Sequence, residues 1–467
     1  FPYIIDVCLS KVILREEYIM FHKNYFLSKG LITAFTILTL LGGSVPVHAY
    51  AQEAAPLAST SFLAQGVSEE SVNKRLSLLL GVLDTKVTNE ERKAAYDILT
   101  KIVSLEKLRR DEALYNPDRL ENIFYGKLND YLNQLTVKYI PNSAEDAKKL
   151  TEAYTKRTSK KNPIIENIKS VLSKKDYKKI TQLYQTYTEA SADAEKALDE
   201  LYAILLKYKS LKAEEVFYNI LTADNGTIAQ FTINPSTLSI KYKDPTGTGI
   251  KKLSKKQLKK YQNTWNELRR VIPDSLLKNF KEFAVSSDGF NGILAFVQQL
   301  DDNGKTWQIS IDPEDMADKL EFANTVIHEY GHYLSLNSSE VFYTNEYTNS
   351  DSMVEDFDVY RETYMIGKKN SYISKFYDKF WKSFAFDRLA NMENHLFYFR
   401  HSDSFINSYA STSCTEDFAE CFSYYVLPPK WALTKAQQEK LDFFDSFPEI
   451  REIKQDILAN MTKNKVL

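Results

Sequence analysis

The sequence predicts an α+β protein: a mostly helical N-terminal module, then a domain of a small sheet, one long helix and a helical C-terminal lobe. The apolar pattern carries this reading. It recurs at three-to-four spacing from about residue 67 to 216, alternates in short runs between 227 and 311, and returns to helical spacing towards residue 467. A chain of 467 residues is long for one domain, and 43% hydrophobic with 26% charged residues is the composition of a folded protein. A formal net charge of −2 gives no reason to expect a nucleic-acid partner.

The N-terminus reads as processing signals. Residues 1–19 lack an initiating methionine, and "REEYIM" looks like a translated upstream stretch with the true start at Met20. Lys23 and Lys29 then form a basic start, Gly30 to Leu41 is an uncharged, mostly apolar run, and Ala49-Tyr50-Ala51 offers a cleavage site before Gln52. That is the layout of a secretory signal peptide over residues 20–51. The apolar run is short for a span of about 20 residues, so the expectation is cleavage, export and no stable membrane span. Cys8, His22 and His48 would then be absent from the mature chain, and residues 52–66, rich in alanine and serine, would be a flexible lead. Cys414 and Cys421 remain. Seven positions on one helix is a rise of about 10 Å, beyond the usual reach of a disulfide, so both read as small apolar residues.

Residues 67–216 form the helical module. "NKRLSLLLGVLDTKV", "ERKAAYDILTKIVSLEKL" and "ADAEKALDELYAILLKYKSLKAEEVF" set apolar stripes between charged positions, with connections at Asn142–Asp146 and Ser159–Pro163. From 217 to 467 the pattern is mixed. "TIAQFTIN" and "TLSIKYKD" alternate around Asn234-Pro235-Ser236, a helix is expected at 254–271, and "EFAVSS" reads as a strand. Asn303-Gly304 between two further alternating runs predicts a hairpin with a type I′ turn. A long helix should follow, with Asp312 as cap, Pro313 in the first position, and Leu320, Ala323, Ile327, Tyr330 and Leu334 as its apolar stripe.

Beside that stripe lies His328-Glu329-Tyr330-Gly331-His332, two of the chain's six histidines, one turn apart. Imidazoles at i and i+4 can meet one zinc ion at about 2 Å each, and the glutamate between can take a proton from a water that zinc acidifies towards a pKa of about 7. The bland alternative is two core or surface histidines. Sheet, histidine helix and helical lobe is also the order of elements of a zincin-type metallopeptidase domain.

A catalytic zinc needs a third ligand. Ser335 and Ser338 rule out the extended histidine motif, and neither Glu355 nor Glu362 has a carboxylate at its fourth following position. Glu416 does: Glu416 and Glu420 share one helical face, with Phe418, Ala419 and Phe422 available for packing, so Glu420 could orient a ligating histidine. The structural alternative for Glu416 is a capping box with Ser413. "TWQISI" (306–311) could be the sheet edge that pairs with an extended substrate; Trp307 could line a subsite or sit in the core. His395 and His401 read as structural.

His328–His332, Tyr409 and "EDFAE" (Glu416–Glu420) together resemble the catalytic domain of the anthrax lethal factor family, which includes the secreted bacterial Pro-Pro endopeptidases. The shared pattern is a His-Glu-x-Gly-His helix, then a tyrosine seven positions before the first glutamate of Glu-x-x-Ala-Glu. The resemblance implies a secreted gluzincin of residues 217–467 with His328, His332 and Glu416 on Zn2+ and Glu329 as general base and proton donor. It makes Tyr409, one of thirty tyrosines, the donor to the developing oxyanion. It implies a protein or peptide substrate, a narrow substrate range, and a Gram-positive source, in keeping with a residue usage expected of an AT-rich genome. The chain departs from the pattern in the 84 positions between His332 and Glu416, with an insertion expected within 342–370. Two other readings stand beside this one. A zinc-containing surface or toxin-like binding protein with little turnover would not need Glu329, and a helical structural protein would carry the motif by accident.

Overall fold

The computed structural model describes residues 68–467 apart from 112–117, 156–161, 189–192, 222–225, 288–292, 349–359 and 392–393. The upstream stretch, signal peptide and lead expected over 1–66 lie outside the described residues. Among those described, no helix is long and apolar enough to cross a membrane.

The helices before residue 222 do not share one core. Helices α1 (Glu69–Leu80), α2 (Asn89–Asp111), α3 (Asp118–Tyr139) and α4 (Ser143–Thr155) come first, and the first three close over Leu76, Leu99, Ile102, Leu128 and Leu132. Ser68 caps α1, and Gly81 ends it with a φ of 53°. A Cβ at Gly81 would collide with the Arg400 carbonyl, so glycine is required there. A second cluster, around Ile180, Leu198, Leu201 and Phe217, joins α5 (Pro163–Ile168), α6 (Lys174–Thr188), α7 (Ala194–Leu205) and α8 (Ala213–Leu221). Charged residues alternate with the stripes on both clusters, which hid the division in the sequence.

The mixed domain has one continuous core from Ala229 to Met461. Strands β1 (Thr227–Ile233), β2 (Ile240–Tyr242), β3 (Phe280–Ser286), β4 (Ala295–Gln299) and β5 (Trp307–Ile311) form a sheet in the order β2-β1-β3-β5-β4. All neighbours are antiparallel except β3 and β5. Helix α9 (Lys255–Val271), begun by a capping box at Ser254, packs Trp265 against this sheet.

Three expectations are corrected here. The β4–β5 hairpin exists, but its turn is not type I′, because only Gly304 has positive φ. The Asp301 carboxylate instead gathers the N–H groups of Asn303, Lys305 and Thr306 and holds a longer loop. Strand β5 is not the sheet edge: it pairs with β3 on one side and β4 on the other, which leaves β4 outermost. The long helix α10 (Lys319–Leu336) starts six residues later than Asp312 implies, capped by Asp318 through the amides of Leu320 and Glu321 at 2.8 and 2.9 Å. Asp312 still belongs to the sheet, its N–H bonded to Leu294, and turns the chain by accepting from Glu314. Ala323, Ile327, Tyr330 and Leu334 form the buried stripe as expected, whereas Leu320, in the first turn, is 47% exposed.

The lobe after α10 is not purely helical. Strands β6 (Val341–Thr348) and β7 (Arg361–Gly367) pair antiparallel across the region where an insertion was expected. Glu362 lies on β7, and Glu355 lies outside the described residues. Helices α11 (Tyr372–Phe376), α12 (Ala385–Ala390), α13 (Leu396–His401), α14 (Cys414–Val426), α15 (Lys435–Asp445) and α16 (Pro448–Lys463) complete the lobe. The fold is thus α+β, with a small mixed sheet in a largely helical chain.

Candidate metal centre

Helices α10 and α14 run antiparallel, pairing His332 with Glu416 and His328 with Glu420. They approach closely because two small residues meet. A Cβ on Gly331 would stand 3.0 Å from the Cα of Ala419 and 3.2 Å from the Phe422 ring. Gly331→Ala should therefore push the helices apart by a few tenths of an ångström and spread the residues they carry. Overpacking of this kind costs about 1–3 kcal/mol. The expected result is a Tm several degrees lower and metal binding weakened about tenfold, read by calorimetry and metal titration. Unchanged affinity would show that the crossing does not set the ligand spacing.

Four residues across that seam form the centre. Nε2 of His328 and Nε2 of His332 each lie 3.1 Å from the same oxygen, Oε2 of Glu416. The ligand atoms of this trio lie within 4.8 Å of one another, so the cluster could hold a metal ion. Four ligands at about 2.0–2.1 Å from a tetrahedral ion stand roughly 3.3 Å apart, close to the separations seen. Behind His328, Nδ1 lies 2.9 Å from Glu420 Oε1, a close but poorly aligned approach, and Asn407 Nδ2 donates to the other Glu420 oxygen at 2.7 Å. Ser413 caps α14 through the Glu416 amide at 3.1 Å. The return half of a capping box is missing, since the Glu416 carboxylate faces the histidines. Cap and candidate ligand are therefore compatible.

The charges follow from burial and proximity. Burial alone would lower the His328 pKa, but Glu416 and Glu420 outweigh it and hold it well above its ordinary value. His332 is raised in the same way by Glu416. Burial works against the Glu416 carboxylate, yet the two histidines hold it far below the usual range. Glu329 is buried, which raises its pKa; the neighbouring histidines and a hydrogen bond from the Val297 amide oppose that rise. Tyr409 lies with its ring 5.9 Å from that of His328 and is 37% exposed. Desolvation, the charges of Glu416 and Glu329, and a hydrogen bond with Glu416 hold its phenol pKa well above the ordinary value, so it keeps its proton.

The structure thus places all six residues singled out in the sequence, His328, Glu329, His332, Tyr409, Glu416 and Glu420, around one point. Asn407 was missed, and nothing in its sequence surroundings marks it. The role of β4 was also missed. Leu294 and Leu300 turn their bonded groups towards the β5 side, so positions 295, 297 and 299 face outwards, where Val297 meets Glu329. Trp307 belongs to the core: it is buried, donates to the Gly304 carbonyl at 2.9 Å and packs edge-on against Tyr333. His401 pairs with Asp387 at 2.7 Å, and His395 is buried with a φ of 52°; neither belongs to the cluster. Cys414 and Cys421 are buried and not joined in a disulfide. No family model, curated protein or solved structure matches the chain.

Proposed function

We propose that the protein is a secreted zinc endopeptidase of the kind its motifs resemble, hydrolysing peptide bonds in a narrow set of protein substrates. The observation that carries this reading is the convergence of His328, His332 and Glu416 beside the buried carboxylate of Glu329. Two imidazoles and one carboxylate are a donor set suited to catalytic zinc. Bound there, zinc would supply Lewis acidity and bring the pKa of water at its open position to about 7.

The chain's own residues do the rest. Glu329 takes the proton of the attacking water and passes it to the leaving amine; a pKa raised by burial suits a group that must both accept and release it. Tyr409, held protonated, donates to the carbonyl oxygen as negative charge builds there. Glu420, itself held by Asn407, fixes the His328 ring. The outward-facing backbone of β4 is the edge on which an extended substrate can pair.

A diverse peptide library incubated with the zinc-loaded protein should be cut at a restricted set of bonds. Glu329→Gln should keep its zinc and lose about 10²–10⁴-fold in rate. A folded, zinc-loaded wild type that cuts nothing would overturn the peptidase reading in favour of a zinc-containing surface or toxin-like binding protein.

A further inference from the structure

Of the four tryptophans, Trp265, Trp307 and Trp381 are buried, while Trp431 is 52% exposed. Its position continues the metal centre. Trp431 packs edge-on against Tyr424, with ring centroids 5.5 Å apart. Tyr424 hydrogen-bonds Asn407, the residue that holds Glu420 against His328. The same antiparallel seam brings α10 past this point. Asp318, whose carboxyl is held low by the amides of Glu321 and Leu320, also feels the charge of Lys430. The first turn of α10, which carries the exposed Leu320, thus runs towards the end of the seam that Lys430 and Trp431 occupy. Leu320 and Trp431 are both exposed, and the charges flanking them, Asp318, Lys319, Glu321 and Lys430, offset one another. An apolar centre with a balanced rim selects a large uncharged side chain.

We propose that Trp431, with Leu320 and Tyr424, forms a subsite for a bulky apolar side chain of an extended peptide lying along the α10–α14 seam. From Glu416 to Tyr424 the helix rises about 12 Å, which an extended chain covers in roughly three to four residues. The subsite thus reads substrate three to four residues from the bond at the metal centre. This rests on the peptidase reading.

The test exploits the burial of the other tryptophans: iodide should quench Trp431 alone, and Trp431→Phe should remove the quenchable emission. Short peptides carrying Leu or Ser at successive positions are added to zinc-loaded Glu329→Gln. Leu at the third or fourth position from the preferred bond should protect Trp431, and Ser there should weaken binding about tenfold. In cleavage by otherwise wild-type protein, Trp431→Ala should flatten the preference for Leu at that position, and Trp431→Phe should largely restore it. Peptides that are cut while Trp431 stays fully quenchable would overturn the subsite. So would protection that depends on protein concentration without peptide, which would mean a second copy covers this face. Peptide protection of Trp431 with no cleavage by wild type would remove the peptidase reading and the subsite with it, leaving Trp431 as a peptide contact of a binding protein.

Discussion

Lys440→Met should cost about 3–5 kcal/mol of folding stability, far more than an ordinary surface substitution. Asp417 follows Glu416 on α14 but points into the core, where it is fully buried. It accepts from Trp381 Nε1 at 2.7 Å and from the Cys421 thiol at 3.3 Å, and pairs with the ammonium of Lys440, also buried, which lies over the Phe405 ring. Burial already raises the Asp417 pKa despite Lys440. Without the ammonium it rises further, while the unfolded chain releases that proton near 3.8. The deficit should therefore be small in acid and grow as pH rises above the wild-type Asp417 pKa, which already lies above 3.8. Urea unfolding of metal-stripped protein at pH 4.5 and 7.5 measures both effects. Asp417→Leu combined with Lys440→Met should recover most of the loss, since no lone charge then stays buried. A single variant as stable as wild type at pH 7.5 would refute the account.

On the proposed reading of the cluster as a zinc site, zinc should stabilise the protein more at pH 8 than at pH 6. In chelator-treated protein, His328 and His332 have pKa values raised above 6.5 by Glu416 and, for His328, Glu420. Each contributes stability that is complete below 6.5 and lost as pH climbs through its folded value. Glu416 is lowered from 4.5, so its contribution is present above 4.5 and lost as pH falls. Stripped protein should thus lose stability above pH 6.5, where the unfolded chain releases protons that the folded histidines still hold. Zinc must displace those protons, so its affinity rises over the same range, by up to about two log units per pH unit. Thermal unfolding with and without zinc should show the gap in Tm widening with pH, and calorimetry in buffers of different ionisation enthalpy should count protons released. Glu416→Gln removes a candidate ligand and the charge that raises both histidines. It should weaken zinc by more than the roughly hundredfold typical of a residue that only orients a ligand, and release fewer protons at pH 7. A gap in Tm that does not change between pH 6 and 8 would sink this scheme.

What could be read from the chain follows a physical division. The candidate metal cluster is built from i, i+4 pairs on two helices, and such spacing survives in sequence whatever the helices pack against. Tyr409 was visible only through its fixed distance from Glu416. The elements misjudged depend on partners far along the chain. Both β4 and β5 alternate, and only the parallel insertion of β5 beside β3 decides which is outermost. Asp312 and Asp318 are both sound caps; the bond of Asp312 to Leu294 keeps the first in the sheet. The β6–β7 pair and the division of the N-terminal helices into two clusters likewise left no local mark.

Asp417 has a further consequence for the candidate metal site. Neighbouring residues on a helix project about 100° apart, so Glu416 on the histidines and Asp417 on Lys440 fix the rotation of α14 from two sides. A helix pinned in this way would resist the roll needed to present its carboxylate to a larger ion. Calcium, which takes six to eight oxygens at about 2.3–2.6 Å, would need such a roll as well as a different donor set. On the zinc reading, selectivity for a small, nitrogen-loving ion would rest partly on stiffness at a second side of the helix, at a pair of charges outside the candidate ligand set.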